Sequence, residues 1–294
     1  MEGEAMNIID GIINIINNPV YKLRSSYINE RNRVNSVGDA LEEYIKDIFS
    51  GTVNESNKDK RLEKYNKVFS YLGNNSNPPD IILKGGDAIE VKKIESQSAL
   101  ALNSSYPKHK LLSTNTLLSK ACRECEYEPG TNEYWKEKDI IYAIGTIDKE
   151  SRNLKSLIFI YGEDYAADIE VYEKVKNRIK EGVSLIENVE FTPTKELGKV
   201  KKIDPLGITD LRIRGMWHIA NPLNIFKNVI KHDKDKDFNF TAIINNQKWN
   251  SFDNKNDLIN VIDKNENAKL MDLQIQDSNN PAKFKDVKVI SLSL

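Results

Sequence analysis

The chain has 294 residues, 39% of them hydrophobic and 30% charged, so it is long enough to bury a substantial core. This composition excludes collagen-like, disulfide-framework and wholly disordered proteins. No apolar run approaches the ~20 residues that a membrane-spanning helix needs. The N-terminus also lacks the basic start and apolar run of a signal peptide. We therefore expect a soluble globular protein of the cytoplasm, with no membrane partner.

The charge balance excludes a globally basic surface. With 43 basic and 44 acidic residues the formal net charge is −1, so any surface that binds a polyanion must be local.

The two cysteines, Cys122 and Cys125, form an isolated CxxC pair. A tetrahedral zinc site needs two more Cys or His ligands at suitable spacing. The nearest histidine, His109, lies 13 positions before Cys122, so we expect reduced thiols on a helix and no zinc site. His218 and His232 do not form the HExxH pattern of a zinc protease, and we expect ordinary surface or core roles for both.

Apolar residues at helical spacing predict the first elements of the chain. The pattern IIDGIINII predicts a short amphipathic helix over 8–16. A second helix is predicted over 36–49, with Ser36 as its N-cap. A polar loop over 54–60 then leads to a third predicted helix over 61–72.

The middle and C-terminal parts of the chain predict a mixed α/β fold. Strands are predicted at 81–83, 88–94, 140–147, 157–161, 210–219, 240–244 and 287–294, and helices at 115–125, 167–180 and 223–230. We find no internal repeat and no linker, which predicts a single elaborated domain over 1–294.

The segment PPDIILKGGDAIEVKKIES, residues 78–96, contains the residues best suited to catalysis. It predicts a hairpin in which Ile89 and Val91 point to one face of the second strand. Because side chains alternate along a strand, Glu90 and Lys92 then share the opposite face.

Whether Asp80 joins that face depends on the turn. A three-residue turn over 85–87 would pair Lys84 with Ala88 and Asp80 with Lys92, and would place Asp80 beside the other two groups. A two-residue turn would instead send Asp80 to the opposite face. We predict the three-residue turn.

Two carboxylates and a lysine on one face are suited to hydrolysis of phosphodiesters. Carboxylate oxygens hold a hard cation such as Mg²⁺, which keeps waters and a substrate phosphate in its coordination shell. A nearby ammonium can orient the attacking water or balance charge in the transition state. The alternative is a solvated strand face, with Asp80 as an ordinary turn residue after two prolines.

This segment looks like the PD-(D/E)xK nuclease motif, with Pro79-Asp80 as its first half and Glu90-Val91-Lys92 as its second. The short motif alone is weakly specific. Together with the flanking segments NRVNSVGDALEEYIKDIF and LNSSYPKHKLLSTNTLLSKACREC, it resembles the NgoPII-type family of type II restriction endonucleases over roughly residues 7–220. The resemblance implies an α/β fold with a restriction-endonuclease-like core, in which helices flank a mixed central β-sheet. The catalytic core is then expected at about 36–165, with DNA-recognition and accessory elements at about 100–125 and 195–294.

The resemblance also implies a function. It indicates a Mg²⁺-dependent homodimer that cuts double-stranded DNA within a short palindrome, GGCC in the type member, and a cognate DNA methyltransferase that shares the site. Asp80 and Glu90 match the metal ligands, and Lys92 matches the catalytic lysine. Many related nucleases take a further acid from a helix before the core strands. Glu42 holds that position with Glu43 as the alternative, and a solvated helix face explains either residue as well.

Two arginines are candidates for reading G·C pairs. Arg can donate two hydrogen bonds to guanine in the major groove. In DLRIRGMW, Arg212 and Arg214 leave the same face of a predicted strand, with Lys201 and Lys202 nearby in sequence. Solvated surface arginines are the competing interpretation.

The stretch 108–123 is locally basic in a nearly neutral chain. It contains no acid, and its basic residues are Lys108, Lys110, Lys120 and Arg123. Such groups bind backbone phosphates without regard to sequence. Polar residues that precede the stretch offer further hydrogen bonds to DNA: Asn103, Ser104 and Ser105. A basic helix that only faces solvent is the alternative.

Three other functions compete with a restriction endonuclease. A repair or structure-specific nuclease of the same superfamily would share Asp80, Glu90 and Lys92 but would not produce sequence-specific fragments. A non-catalytic DNA-binding module would keep its function when Lys92 is replaced. A structural interaction protein would not bind DNA at all.

Overall fold

The computed structural model describes residues 6–23, 26–27, 36–74, 77–102, 105–186, 189–190 and 197–294. In these ranges no helix combines the length and apolar character needed to cross a membrane. The helices are α1 (Ile8–Asn17), α2 (Val37–Ser50), α3 (Lys58–Val68), α4 (Lys120–Arg123), α5 (Gly162–Tyr165), α6 (Ile169–Ser184), α7 (Pro222–Ile225), α8 (Asn246–Ser251) and α9 (Lys255–Asp263).

The strands are β1 (Phe69–Asn74), β2 (Asn77–Leu83), β3 (Ala88–Ile94), β4 (Leu100–Ala101), β5 (Lys110–Leu112), β6 (Glu137–Ile147), β7 (Leu154–Tyr161), β8 (Val189–Glu190), β9 (Gly198–Val200), β10 (Leu211–Ile213), β11 (His218–Ile219), β12 (Asn239–Asn245), β13 (Ala268–Gln276) and β14 (Phe284–Ser293).

A nine-stranded mixed sheet forms the centre of the fold. Its order is β1-β2-β3-β6-β7-β12-β14-β13, and β5 pairs with β6 beside this path. The β3–β6 and β7–β12 pairs are parallel, whereas the other pairs are antiparallel. The chain is therefore a mixed α/β protein with helices flanking a large central sheet, as predicted.

Each face of the sheet is covered by its own apolar cluster. One cluster packs α1, α2, α8 and α9 against the sheet. The opposite cluster is built from segments between β4 and β6 and from residues after α7. Strand β3 contributes to both, because Ile89 and Val91 lie in the helical cluster and Ala88 lies in the other. The alternation of the sequence therefore sets which face Glu90 and Lys92 occupy.

The first two helices were correctly predicted because their ends carry strong signals. The side chain of Asn7 accepts a hydrogen bond from Ile9 N, and Asp10 completes a capping box. At α2, Ser36 Oγ accepts from Asp39 N at 3.1 Å, as predicted. Gly51 then ends α2 in the left-handed region, with φ 65°.

The predicted end of the third helix is wrong. α3 begins at Lys58, behind the N-cap Asn57, and ends at Val68 rather than at residue 72. The next residues form β1 instead and pair with β2. Burial of Phe69 and Tyr71 against the sheet outweighs the helical preference of the surrounding residues.

The long helix predicted over 115–125 is also wrong, because only α4 is helical there. Asn115 forms a local turn, in which its side chain accepts from Leu117 N at 3.0 Å. Arg123 then donates to the carbonyl oxygens of Asn115 and Leu118. Cys122 is buried and Cys125 half-buried, both are free thiols, and burial raises the pKa of each.

Two C-terminal predictions are only partly correct. The predicted strand over 210–219 is divided into β10, which pairs with β9, and β11, which pairs with β4. The helix predicted over 223–230 is the short α7, followed by turns. The strands predicted at 240–244 and 287–294 lie within β12 and largely within β14.

Candidate active site

β2 and β3 form the predicted hairpin, but in a different register. Ile81 lies opposite Ile89, and Ile82 lies opposite Ala88. Residues 83–87 therefore form the turn, which is closed by hydrogen bonds from Leu83 N to Asp87 O and from Gly86 N to Leu83 O, both at 3.0 Å. The predicted pairing of Lys84 with Ala88 is wrong by two residues. Because the shift is even, the predicted assignment of faces still holds.

Asp80 lies immediately beyond the last pair of the hairpin. Its Oδ2 accepts a hydrogen bond from Val91 N at 2.7 Å, which fixes the carboxylate against β3. From there it interacts electrostatically with both Glu90 and Lys92. The structure therefore brings together the three residues of the predicted motif.

Glu90 and Lys92 form an ion pair on the shared face of β3. Lys92 Nζ donates to Glu90 Oε1 at 2.6 Å. Glu90 is only 8% exposed, and its second oxygen, Oε2, is buried with no hydrogen-bond partner among the residues described. A buried carboxylate oxygen without a partner is energetically costly, so it is expected to meet a ligand.

The pKa values of these groups reflect burial and mutual charge. Burial, together with the negative charge of Glu90, raises the pKa of Asp80 to about 7. Burial also disfavours ionised Glu90, but the ammonium groups of Lys92 and Lys108 outweigh it and hold its pKa below the usual value. Burial lowers and the two acids raise the pKa of Lys92, with a net rise. Glu90 is thus the ionised carboxylate of the pair.

The structure separates the two acids of α2. Burial raises the pKa of Glu42, whose charge interacts with Lys92 as well as with the nearer Lys46. Glu43 forms ion pairs with Lys46 at 2.8 Å and with Arg61 at 3.2 Å. Glu42 therefore lies within electrostatic range of the motif, whereas Glu43 belongs to an ion-pair network of α2 and α3.

Lys108 is not part of an exposed basic surface, because its side chain is 4% exposed. Its Nζ donates to Ser105 Oγ at 2.5 Å, and its backbone N donates to Tyr142 Oη at 2.7 Å. Burial lowers the pKa of Lys108, against the carboxylate of Glu90, which raises it; the charge of Lys92 lowers it further and that of Asp80 raises it. The expectation of a surface phosphate contact at this residue is therefore wrong.

The sequence gives no signal for this placement, since β6 supplies Tyr142 from 34 positions along the chain. Gly162 also permits this placement of the Lys108 backbone, because a Cβ at residue 162 would collide with the carbonyl oxygens of Lys108 and His109. The backbone that carries Lys108 thus packs directly on α5.

The remaining residues of the predicted basic stretch do not share one surface role. Lys110 pairs with Glu137 at 2.8 Å and with Asp139 at 3.5 Å. Lys120 is well exposed, with 83% of its side chain accessible. Asn103 and Ser104, also expected to bind DNA, lie outside the described residues.

The candidate arginines lie at the edge of a small separate sheet. Arg212 is in β10 opposite Lys199, and Arg214 follows the strand; both are exposed. Lys201 and Lys202 lie in the connection between β9 and β10. These four residues therefore belong to the β9–β10 hairpin and its ends, more than 100 residues after the motif strands β2 and β3 in the sequence.

The donor set around Asp80 and Glu90 fits a hard cation. Both residues offer oxygen ligands, and Glu90 Oε2 has no other partner among the residues described. Across the same ranges, no group of three or more His, Cys, Asp or Glu side chains forms a complete metal site. A hard divalent cation held by Asp80 and Glu90 would therefore complete its shell with water and phosphate oxygens.

A buried and a half-buried acid with a lysine, on adjacent strands of a mixed sheet, are the kind of site that a metal-dependent phosphodiesterase requires. Over residues 6–276 the chain matches the family described as NgoPII restriction endonuclease. The chain belongs to this family, and it is a type II site-specific deoxyribonuclease that acts on double-stranded DNA.

A curated relative supports the family assignment. The chain is 52% identical over 290 residues to the type II restriction enzyme NgoPII of Neisseria gonorrhoeae, an alignment that covers 98% of this chain and 100% of the relative. No solved structure matches the chain.

Proposed function

We propose that the enzyme cuts double-stranded DNA within a short palindromic, GC-rich site in a Mg²⁺-dependent reaction, with GGCC as the expected sequence. The reaction class follows from the family. The position of the active site is supported by one observation above all, the buried and unpartnered Oε2 of Glu90 beside Asp80 and Lys92. On this basis we assign the sheet to the PD-(D/E)xK class.

In this proposal Asp80 and Glu90 hold the metal, and Lys92 is the catalytic lysine. A bound Mg²⁺ would supply positive charge that polarises the phosphoryl oxygens. Lys92, held by Glu90 Oε1, orients the water that attacks phosphorus while the bond from phosphorus to a sugar oxygen breaks. Glu42 assists from α2 through its charge interaction with Lys92.

We also propose that the enzyme acts as a homodimer built from single-domain chains. A palindrome presents two equivalent strands, so a two-fold dimer can place one site on each strand. Sedimentation of the enzyme with and without DNA tests this assembly. A restriction enzyme also requires protection of host DNA, which implies a methyltransferase that modifies the same sequence.

Arg212 and Arg214 are proposed to read guanines, with Lys110, Lys120, Lys201 and Lys202 near phosphates. Their support is exposure on the hairpin and the bidentate geometry of arginine. Arg212→Ala or Arg214→Ala should cost about 1 to 3 kcal/mol of discrimination against a wrong base pair. Competition binding with single-base variants of the site measures this, and unchanged preference in both variants would refute the assignment.

Digestion of unmethylated phage DNA with Mg²⁺, and with chelator as control, tests the whole proposal. We expect discrete fragments whose mapped ends share one short site, and intact DNA under chelation. A smear would indicate a nuclease without that specificity. DNA left intact in both conditions would favour a binding module and overturn the proposal.

A further inference from the structure

Lys108 is a buried cation without a carboxylate partner. In the part of the chain that the structure describes, no carboxylate oxygen lies within 4.0 Å of its Nζ. The other buried charged side chains in the same ranges each have an ion-pair partner; these are Asp47, Asp87, Glu90, Lys138 and Asp164. Lys108 is thus the exception in a fold that otherwise neutralises its buried charges.

The surrounding contacts hold the ammonium group in place but leave it incompletely bonded. Nζ donates to Ser105 Oγ at 2.5 Å, and Ser105 Oγ in turn donates to Tyr106 O at 3.4 Å. Of the three donors on a lysine ammonium, the described residues therefore accept one. Two N–H groups remain for a ligand.

The position of Lys108 places those donors at the active site. Its backbone N is bound by the hydroxyl of Tyr142, and Tyr142 lies opposite Glu90 in the parallel β3–β6 pair. The charged groups that interact electrostatically with Lys108 are Glu90, then Lys92 and Asp80. Lys108, on the segment that follows β4, therefore lies within electrostatic range of the same cluster as Lys92.

Two deficiencies meet in this cluster. Glu90 Oε2 is a buried acceptor with no partner among the described residues, and Lys108 is a buried lysine with no carboxylate oxygen within 4.0 Å of its Nζ in the same ranges. Burying an unpaired ammonium is costly unless a ligand supplies the missing charge. A phosphate diester supplies an anion for Lys108, and the cation that it brings supplies a partner for Glu90.

We infer that Lys108 is a second catalytic lysine, which binds a non-bridging oxygen of the phosphate that is cut. This inference rests on the proposed function, because it requires the Asp80–Glu90 cluster to be the cutting site. It differs from a surface phosphate contact, since a side chain that is 4% exposed reaches only a phosphate drawn into the site.

The first test compares Lys108→Met with Lys136→Met, because Lys136 is an exposed lysine that is paired with Glu133 at 2.5 Å. We expect single-turnover cutting by Lys108→Met to fall about a hundredfold, the scale of one lost transition-state contact. Lys136→Met should stay within about threefold of the native enzyme. The melting temperature of Lys108→Met should equal or exceed that of the native protein, because the substitution removes an unpaired buried charge.

The second test locates the contact. The phosphate at the mapped cut position is replaced by a neutral methylphosphonate, and binding is measured by fluorescence anisotropy with chelator present. The native enzyme and Lys136→Met should each lose about tenfold in affinity, the scale of a hydrogen bond to a charged group. Lys108→Met should lose less than twofold, because its contact is already absent.

The outcomes separate the inference from the proposed function. Native enzyme that leaves DNA intact would refute the proposed function. Native enzyme that cuts, together with Lys108→Met that cuts within twofold of it, would refute the second lysine alone. Equal losses on the methylphosphonate in all three proteins would do the same. A lower melting temperature for Lys108→Met would instead assign Lys108 a structural role.

Discussion

Two charged clusters lie along β3, one just before the strand at Asp87 and one around Glu90 within it, and they differ in how completely they are bonded. At the start of the strand, Asp87 accepts from Tyr161 Oη at 2.7 Å and from Lys248 Nζ at 3.1 Å. Lys248 also binds Asp139 at 2.5 Å. Each charged group of this first cluster has an opposite charge beside it. It therefore needs nothing from outside the protein.

The second cluster, around Asp80, Glu90 and Lys108, is not closed in this way. Within the residues described, Glu90 Oε2 lacks a hydrogen-bond partner, and Lys108 Nζ has no carboxylate oxygen within 4.0 Å. Both clusters contain buried and half-buried charged groups, so burial alone does not distinguish them. The clusters differ in whether hydrogen-bonding and charged groups are left without partners. We infer that the first cluster stabilises the sheet and that substrate and metal complete the second.

The largest expected effect is on cutting when the second cluster is changed. Asp80→Asn keeps an acceptor for Val91 N but removes a metal ligand, so cutting should fall by at least about a thousandfold. Thermal unfolding should remain at or above the native temperature, because a carboxylate that is crowded by Glu90 has been removed. Single-turnover assays and calorimetry measure both. Loss of the fold would contradict the assignment.

The reciprocal change in the first cluster should affect stability instead. Lys248→Met leaves Asp87 and Asp139 without their shared cation, and we expect a loss of about 3 kcal/mol in the free energy of unfolding. Cutting at a temperature well below the transition should stay within about threefold of native. Denaturant titration gives the first quantity. A variant as stable as the native protein would show that the ion pairs contribute nothing net.

The comparison extends to pH through His232, which lies near Thr241 of β12, away from the motif strands. Burial lowers the pKa of His232 to about 4. The unfolded chain, with the ordinary value near 6.5, then binds more protons between these two values, so stability is complete above pH 6.5 and is lost as the pH falls towards 4. Between pH 7 and pH 5 the native protein should lose about 2 kcal/mol more of its free energy of unfolding than His232→Gln does.

Chemical denaturation of the native protein and the variant at both pH values measures this difference. His218→Gln, at an exposed position, is the matched control and should leave the pH dependence unchanged. Identical pH dependence in His232→Gln and the native protein would contradict the expected burial cost.

The smallest effect separates the two neighbouring acids of α2. Glu42→Gln should reduce cutting about tenfold, because Glu42 acts on Lys92 from the second cluster. Glu43→Gln should change cutting by less than twofold, since Glu43 is paired with Lys46 and Arg61. Parallel time courses with both variants decide the matter, and a larger loss for Glu43→Gln would reverse the assignment.

The faces of the motif residues were predicted correctly from the sequence, whereas the register of the hairpin was not. Alternation along β3 placed Glu90 and Lys92 on one face, and this depends only on the period of a strand. The register depends on the turn, and turns with Gly85 at φ 63° can be closed by different numbers of residues. The face of Asp80 was correctly predicted because the error of register was even.

The burial of Lys108 was not predicted, because burial is a property of long-range packing. Its basic neighbours in sequence suggested a solvated patch, but Tyr142 and Gly162 hold its backbone from distant elements. The same limit explains β1, where Phe69 and Tyr71 became strand residues through pairing with β2. The spacing of residues predicts which side chains share one face of a helix or strand. Which of these faces is buried depends on the elements that pack against it, and these are distant in the sequence.

The close packing at Gly162 has a consequence for engineering. β2 and β3 could be transplanted into another sheet with Asp80, Glu90 and Lys92 in place. Such a graft would lack Lys108, because the backbone of Lys108 and His109 packs directly against Gly162 of α5. A successful graft would therefore need the β6–β7–α5 support as well as the motif. The part of the structure that must be transferred is therefore larger than the segment that contains the motif.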